Sequence, residues 1–228
     1  MNIVEMNGVI MIKSFFQSSF LKLMLVGLAG ALSVFPANAQ EKKISDVFAA
    51  MPDSLVPYLT ENNRLDMIDF STMNMKAEVE NMFGEKSEML SLSDNYLKLQ
   101  LNDFTVVEMK LMKTDSLMCD SSMHVVYLVK TIGRETKFST VRKYTSEWTF
   151  LEEVCLTNHA RRLVSFDSAN SDDLSYLGRL LNNNISIEAT LSSDENFLLL
   201  VPHYFSLTND DINNIRDKIT LRTFKINL

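Results

Sequence analysis

Apolar side chains change their spacing near residue 89. Before it, Ile44, Val47, Phe48 and Met51 recur at helical intervals, with Ser45 or Asp46 placed to cap the free amides and Pro52 to stop the helix. A short proline-bounded turn follows over residues 53 to 59, and Thr60 caps a second helix carrying Leu65, Ile68, Phe70 and Met73 inward. From Met89 the period falls to two. Leu97, Leu99 and Leu101 alternate with Lys98 and Gln100, and Val107, Met109 and Leu111 alternate with Glu108 and Lys110. Each run predicts a half-exposed strand whose charged positions meet water. Met123 to Ile132 is more continuously apolar and predicts a central strand, which Gly133-Arg134-Glu135 turns into another over Lys137 to Tyr144. Such short connections favour an antiparallel meander, because parallel neighbours need long crossovers.

After Trp148 the pattern restarts. Leu163 to Phe166 predicts a short strand, and Asp172 and Asp173 open a helix with Leu174, Leu177, Leu180 and Leu181 inward. Ile185, Ile187, Ala189 and Leu191 alternate, a polar turn spans Ser192 to Asn196, and Phe197 to Val201 returns. Asn209 or Asp210 caps a last helix bearing Ile212, Ile215 and Ile219, ahead of a strand from Leu221 to Leu228. The expected class is α+β: N-terminal helices, an antiparallel β-meander, then a second segment of helix plus strands. Residues 40–228 are expected to form one domain, with sub-units at about 40–158 and 159–228 as the alternative.

The first 39 residues read as a leader. Lys13 and Lys22 precede an apolar run from Leu23 to Phe35, and Ala37 and Ala39 place the small residues that signal peptidase accepts just before Gln40. The run is shorter than the roughly 20 residues that span a bilayer and closes on Pro36, so a signal peptide is expected rather than a transmembrane anchor. Cleavage before Gln40 leaves 189 residues of net charge −8 with no membrane anchor.

That charge argues against nucleic acid as a partner, since phosphate contacts need clustered lysine and arginine, and no basic cluster exceeds a pair such as Arg161-Arg162. Beyond the leader only Gly84, Gly133 and Gly178 remain, too scattered to cradle a phosphate, so no nucleotide cofactor is expected.

Candidate chemistry is sparse. Cys119 and Cys155 are either one disulfide or two buried thiols, and export permits the bridge. Cys155 and His159 stand four apart, a spacing that on a helix would put a thiol beside a base or two metal ligands together, but a zinc site needs three or four ligands and His124 and His203 bring no paired donor. Asp66 and Asp69 share a helical face near Arg64, where a solvated ion pair is the simpler reading than acid-base work. Trp148, Tyr144 and Phe150 form either a ligand platform or, more simply, an anchor at a sheet end. Five methionines, Met67, Met73, Met75, Met82 and Met89, are expected to fill core rather than make an adaptable binding surface.

The stretch Phe48-Ala49-Ala50-Met51-Pro52-Asp53-Ser54-Leu55-Val56-Pro57-Tyr58-Leu59, followed by Asn63 to Phe70, resembles the opening signature of a domain-of-unknown-function family of secreted Bacteroidales proteins. Ser139 to Trp148 resembles that family's central strand, with Lys143 where an aromatic is expected. The resemblance implies a Gram-negative host and a periplasmic or outer-surface place, and assigns no activity. It also implies serine O-glycosylation at Ser54, Ser116 and Ser168, each in an Asp-Ser-Leu or Asp-Ser-Ala triplet. The expected function is a non-enzymatic binding or interaction module of the bacterial envelope, its partner an envelope protein, a glycan or a small ligand. The alternatives are a thiol- or metal-assisted hydrolase centred on Cys155 and His159, and a carrier of lipid or small ligands.

Overall fold

The computed structural model describes residues 41–114, 123–166, 184–205, 208–210, 213 and 219–228. The chain divides into two units, Met1–Glu41 and Lys42–Leu228, and the architecture below belongs to the second. The described residues form a seven-stranded sheet, a three-stranded sheet and a two-stranded sheet, so the fold is β-rich and the α+β expectation is corrected.

Helix α1 (Ile44–Ala49) buries Ile44, Val47 and Phe48, while Asp46 accepts from the Lys43 amide as the third residue of the helix rather than as its cap. Helix α2 (Glu61–Thr72) begins as expected: the Thr60 hydroxyl accepts from the Asn63 amide at 3.2 Å and the Asn63 side chain accepts back from the Thr60 amide at 3.1 Å. Its inward residues are Arg64 and Met67, with Ile68 and Phe70 partly buried, whereas Leu65 and Met73 face out. Arg64 is buried because its guanidinium reaches back to the Asp53 carboxylate at 2.7 Å and the Leu59 carbonyl at 3.1 Å.

The large sheet is a pure meander of seven strands: β1 (Glu78–Glu80), β2 (Lys86–Leu92), β3 (Tyr96–Asn102), β4 (Thr105–Thr114), β5 (Met123–Ile132), β6 (Phe138–Thr145) and β7 (Phe150–Glu153). Every adjacent pair is antiparallel. Three of these strands, β1, β2 and β7, mix charged and apolar residues with too little alternation to be read from the sequence. Further along come a 3₁₀ turn (Leu156–His159), helix α3 (Ala160–Leu163) and β8 (Val164–Phe166), then β9 (Ile185–Leu191), β10 (Phe197–Tyr204), β11 (Ile219–Leu221) and β12 (Phe224–Asn227). Ile219, expected on a helix, lies in β11 paired with β8. The predicted helix over Leu174 to Leu181 falls outside the described residues, as does most of the helix after Asn209.

The two faces of the meander carry separate cores. Leu97, Leu99, Leu101, Val107, Met109, Leu111, Val126 and Leu128 face α1 and α2. Tyr96, Val125, Tyr127, Val129 and Val141 face Ile187, Ala189, Leu191, Leu198 and Leu200 of the β9–β10 hairpin. Helices therefore cover one face of the sheet and a second sheet covers part of the other. Trp148 pins the helical layer: its backbone is left-handed at φ 65°, and its indole N–H donates to the Val47 carbonyl at 2.9 Å while its ring packs on Tyr144. The aromatic trio is the sheet-end anchor that the sequence suggested.

A charged cleft between the two sheets

The strand pattern placed Glu108 and Lys110 in water. The structure instead buries both, at 3 % and 0 % exposure, because β9 packs across β4, β5 and β6 on the face those side chains occupy. Burying a charge costs several kcal/mol unless every donor and acceptor finds a partner. Here they do. One Glu108 oxygen accepts from Lys98 Nζ at 2.9 Å and the Tyr96 hydroxyl at 3.1 Å, and the other accepts from the Leu191 backbone amide at 2.8 Å. The Lys110 ammonium donates to the carbonyls of Ser192, Ser193 and Glu195 at 2.7, 3.1 and 2.8 Å, one acceptor for each proton.

These bonds also solve the edge problem of the small sheet. Its order is β12-β10-β9, so among the described residues β9 has no strand partner on one side. There the Leu191 amide is taken by Glu108 and the Ala189 amide by the Ser139 hydroxyl at 2.8 Å. Unpaired backbone donors buried at a sheet edge are thus satisfied by side chains of the meander rather than by another strand. Burial and then the Glu108 charge push the Tyr96 phenol well above its ordinary value, and burial lowers Lys110 against a partial opposing pull from Asp194.

Beside this seam opens a cleft of about 360 Å³. Its floor comes from Lys98, Gln100, Val106, Glu108 and Thr131 of the meander, one wall from Glu188, Ala189 and Thr190 of β9, and its mouth from Asp103, Phe104, Gly133, Arg134 and Lys137. The volume lies within the range of small-molecule sites. Three ion pairs cross it or border it: Lys98 with Glu108, Arg134 with Asp103 at 2.7 Å, and Lys137 with Glu188 at 2.8 Å. Glu188 also accepts from His203 Nε2 at 2.8 Å, in the tautomer that carries the proton on that nitrogen. Burial alone would raise the Glu188 carboxyl, but Lys137 and His203 outweigh it and hold it below the usual range.

The mouth is shaped by Gly133, at φ +123°, where an added Cβ would stand 1.9 Å from the Thr136 carbonyl oxygen. No other residue fits that turn without moving it. Its amide donates to the Phe104 carbonyl at 2.8 Å, and this brings the Arg134 guanidinium to 4.2 Å from the Phe104 ring centre.

The residues singled out from sequence lie elsewhere. Cys155 precedes the 3₁₀ turn, exposed, with its sulfur 3.2 Å from the Thr157 hydroxyl; that hydroxyl and the Asn158 amide hold the thiol below its ordinary value. His159 stacks on Phe224 instead. Cys155 lies outside the turn, and at three residues per revolution a 3₁₀ helix would in any case set positions four apart about 120° from each other, so the helical spacing argument for the pair does not hold. Cys119 lies outside the described residues, as do Ala37, Ala39, Gln40, Ser116 and Ser168. Ser54 is exposed next to Asp53. Asp66 and Asp69 are exposed on α2, and the partner of Arg64 is Asp53. Met67 and Met89 are core as expected, but Met73, Met75 and Met82 are exposed. No group of three metal-ligating side chains occurs among the described residues, and none of their helices is long and apolar enough to cross a membrane. The cleft residues Lys98, Glu108, Lys137 and Glu188, and His203 that pairs with Glu188, carried no sequence motif.

Fold and cleft together define a β-rich protein in which a ligand-sized, charged concavity lies where a small sheet meets one face of a seven-stranded meander. The chain belongs to the family described as "Protein of unknown function (DUF3256)", whose profile matches residues 36–215. No curated protein matches it. A solved structure described as a domain of an uncharacterized protein from Porphyromonas gingivalis W83 is similar in fold, with a TM-score of 0.62 at 18 % identity over 81 % of this chain and 94 % of that one.

Proposed function

We propose that the protein is a non-enzymatic binding module, exported to the bacterial envelope as the chain from Gln40 onward, with the charged cleft as its ligand site. The observation that carries this reading is the state of the cleft carboxylates. Glu108 is saturated by three donors and Glu188 is held between Lys137 and His203. Neither is free to abstract a substrate proton as a general base would. Lys98, Arg134 and Lys137 still present protons, and Asp103 and Glu188 lone pairs, to a bound polar molecule. The leader pattern before Gln40 and the resemblance to secreted proteins support export.

The test is a thermal-shift screen of the purified protein against neutral sugars, amino acids and small anions. A cleft ligand present at about 100 times its Kd stabilises the fold by about 2.7 kcal/mol, and Arg134→Ala, at the exposed mouth, is expected to abolish that shift. A screen without stabilisation, or stabilisation untouched by Arg134→Ala, would contradict the reading.

A further inference from the structure

The cleft does not end at Phe104. On the other side of the β3–β4 turn lies a second concavity of about 330 Å³, lined by Glu85, Lys86, Asn102, Asp103 and Phe104. Asp103 and Phe104 belong to both, and form the ridge between them. That ridge is braced from each side. The Phe104 amide donates to the Asn102 side chain at 3.0 Å, its carbonyl accepts from Gly133, and Asp103 holds Arg134. The neighbouring β1–β2 turn is equally set, since the Asn81 side-chain oxygen accepts from the Phe83 and Glu85 amides at 2.9 and 3.2 Å.

Resting on the reading of the first cleft as a ligand site, we propose that the natural ligand is an extended, uncharged oligosaccharide that crosses the Asp103–Phe104 ridge and occupies both concavities. Three observations point this way. Two ligand-sized hollows that share a half-exposed ridge, with Phe104 at 45 % exposure, suit one elongated molecule rather than a compact one. The lining cations are already engaged: Lys86 holds Glu78 at 2.6 Å, as Lys98, Arg134 and Lys137 hold their own carboxylates. An anionic ligand must break an ion pair to be neutralised, whereas hydroxyl groups add hydrogen bonds to the pairs as they stand. Finally, the Phe104 ring offers apolar surface to the C–H face of a pyranose, while the ridge strands β3 and β4 are interior strands of the sheet with both ladders filled. A peptide therefore finds no free strand edge on the ridge, and on the open edge of β9, which walls the first cleft, the Ala189 and Leu191 amides are already taken by Ser139 and Glu108.

Calorimetric titration with cello-, xylo-, manno- and N-acetylglucosamine oligomers, from monosaccharide to hexasaccharide, decides it. In at least one series the affinity should rise by about tenfold or more once the chain is long enough to pass the ridge, equivalent to about 1.4 kcal/mol. Lys86→Ala should erase that gain for the long oligomer and leave the short one unchanged, and Phe104→Ala should weaken both. Equal affinity at every length, or a neutral Lys86→Ala, would overturn the two-cleft ligand while leaving the single-cleft reading intact. Preference for a sulfated or uronic oligomer, binding of a proline-rich peptide instead, or no binding in any series would overturn it as well.

Discussion

Glu108→Leu is expected to lower the free energy of unfolding by about 4 kcal/mol, among the largest effects available to a single substitution outside the aliphatic core. Leucine fills much of the volume but leaves the Leu191 amide, the Tyr96 hydroxyl and the Lys98 ammonium without their common acceptor. The amide and the hydroxyl lie in the buried seam and lose the acceptor that satisfies them, so their desolvation goes uncompensated. Lys98 is partly exposed and can reach water, which keeps the loss from being greater. Lys98→Met serves as the comparison. It removes one of three donors and leaves Glu108 two, so about 1–2 kcal/mol is expected, within the range for a hydrogen bond to a charged group. Urea unfolding of both variants measures the difference, and equal losses would mean that Glu108 is not the shared hub of the seam.

Lys110→Met should cost about 3 kcal/mol and act on a different segment. The fully buried ammonium gathers the Ser192, Ser193 and Glu195 carbonyls and so holds the turn between β9 and β10 against the meander. Methionine replaces the stem but supplies none of the three protons. Each carbonyl then either stays unpaired or turns to water, and the turn must move to let it do so. Hydrogen exchange should therefore show the loss first in residues 191–198, ahead of β3 and β4. Replacing a buried ion by an apolar group is stabilising where the ion was poorly satisfied. Undiminished stability in Lys110→Met would show that the carbonyl cage contributes nothing.

The two substitutions fall on the residues that the sequence pattern misplaced, and the reason is physical. Alternation in Val107, Met109 and Leu111 identifies one buried face of β4, and those residues do face the helices. It carries no information on whether something covers the opposite face. Glu108 and Lys110 look solvated in such a pattern because a charge is rarely buried, yet each is buried here with a full set of partners, all three of those of Lys110 and one of those of Glu108 coming from a segment more than 80 residues away. A hint was present. Val125 to Val129 is apolar on both faces, as expected of a strand covered twice, and β4 is its neighbour in the sheet.

Local signals fared better than long-range ones. The Thr60 cap, the Gly133 turn, the meander from Leu97 to Tyr144 and the β9–β10 hairpin were all legible, because capping, turn chemistry and period-two alternation act within a few residues. The fold class was not. The N-terminal helices span only 6 and 12 residues, and β1, β2, β7 and β11 add strands whose short, charged or mixed sequences owe their form to pairing with neighbours. The cleft was illegible for the same reason as the seam: its charges come from β3, β4, β9 and two turns, which only the packing of one sheet on the other brings together.

The most direct measurement is an amide chemical-shift map of the ¹⁵N-labelled protein titrated with the best stabilising ligand from the screen. The account predicts that the perturbed amides cluster on Asp103 to Val106, Gly133 to Lys137 and Glu188 to Thr190, with Cys155 to His159 unmoved. A map centred on Cys155 and His159, or spread along the helical face of the meander, would contradict it.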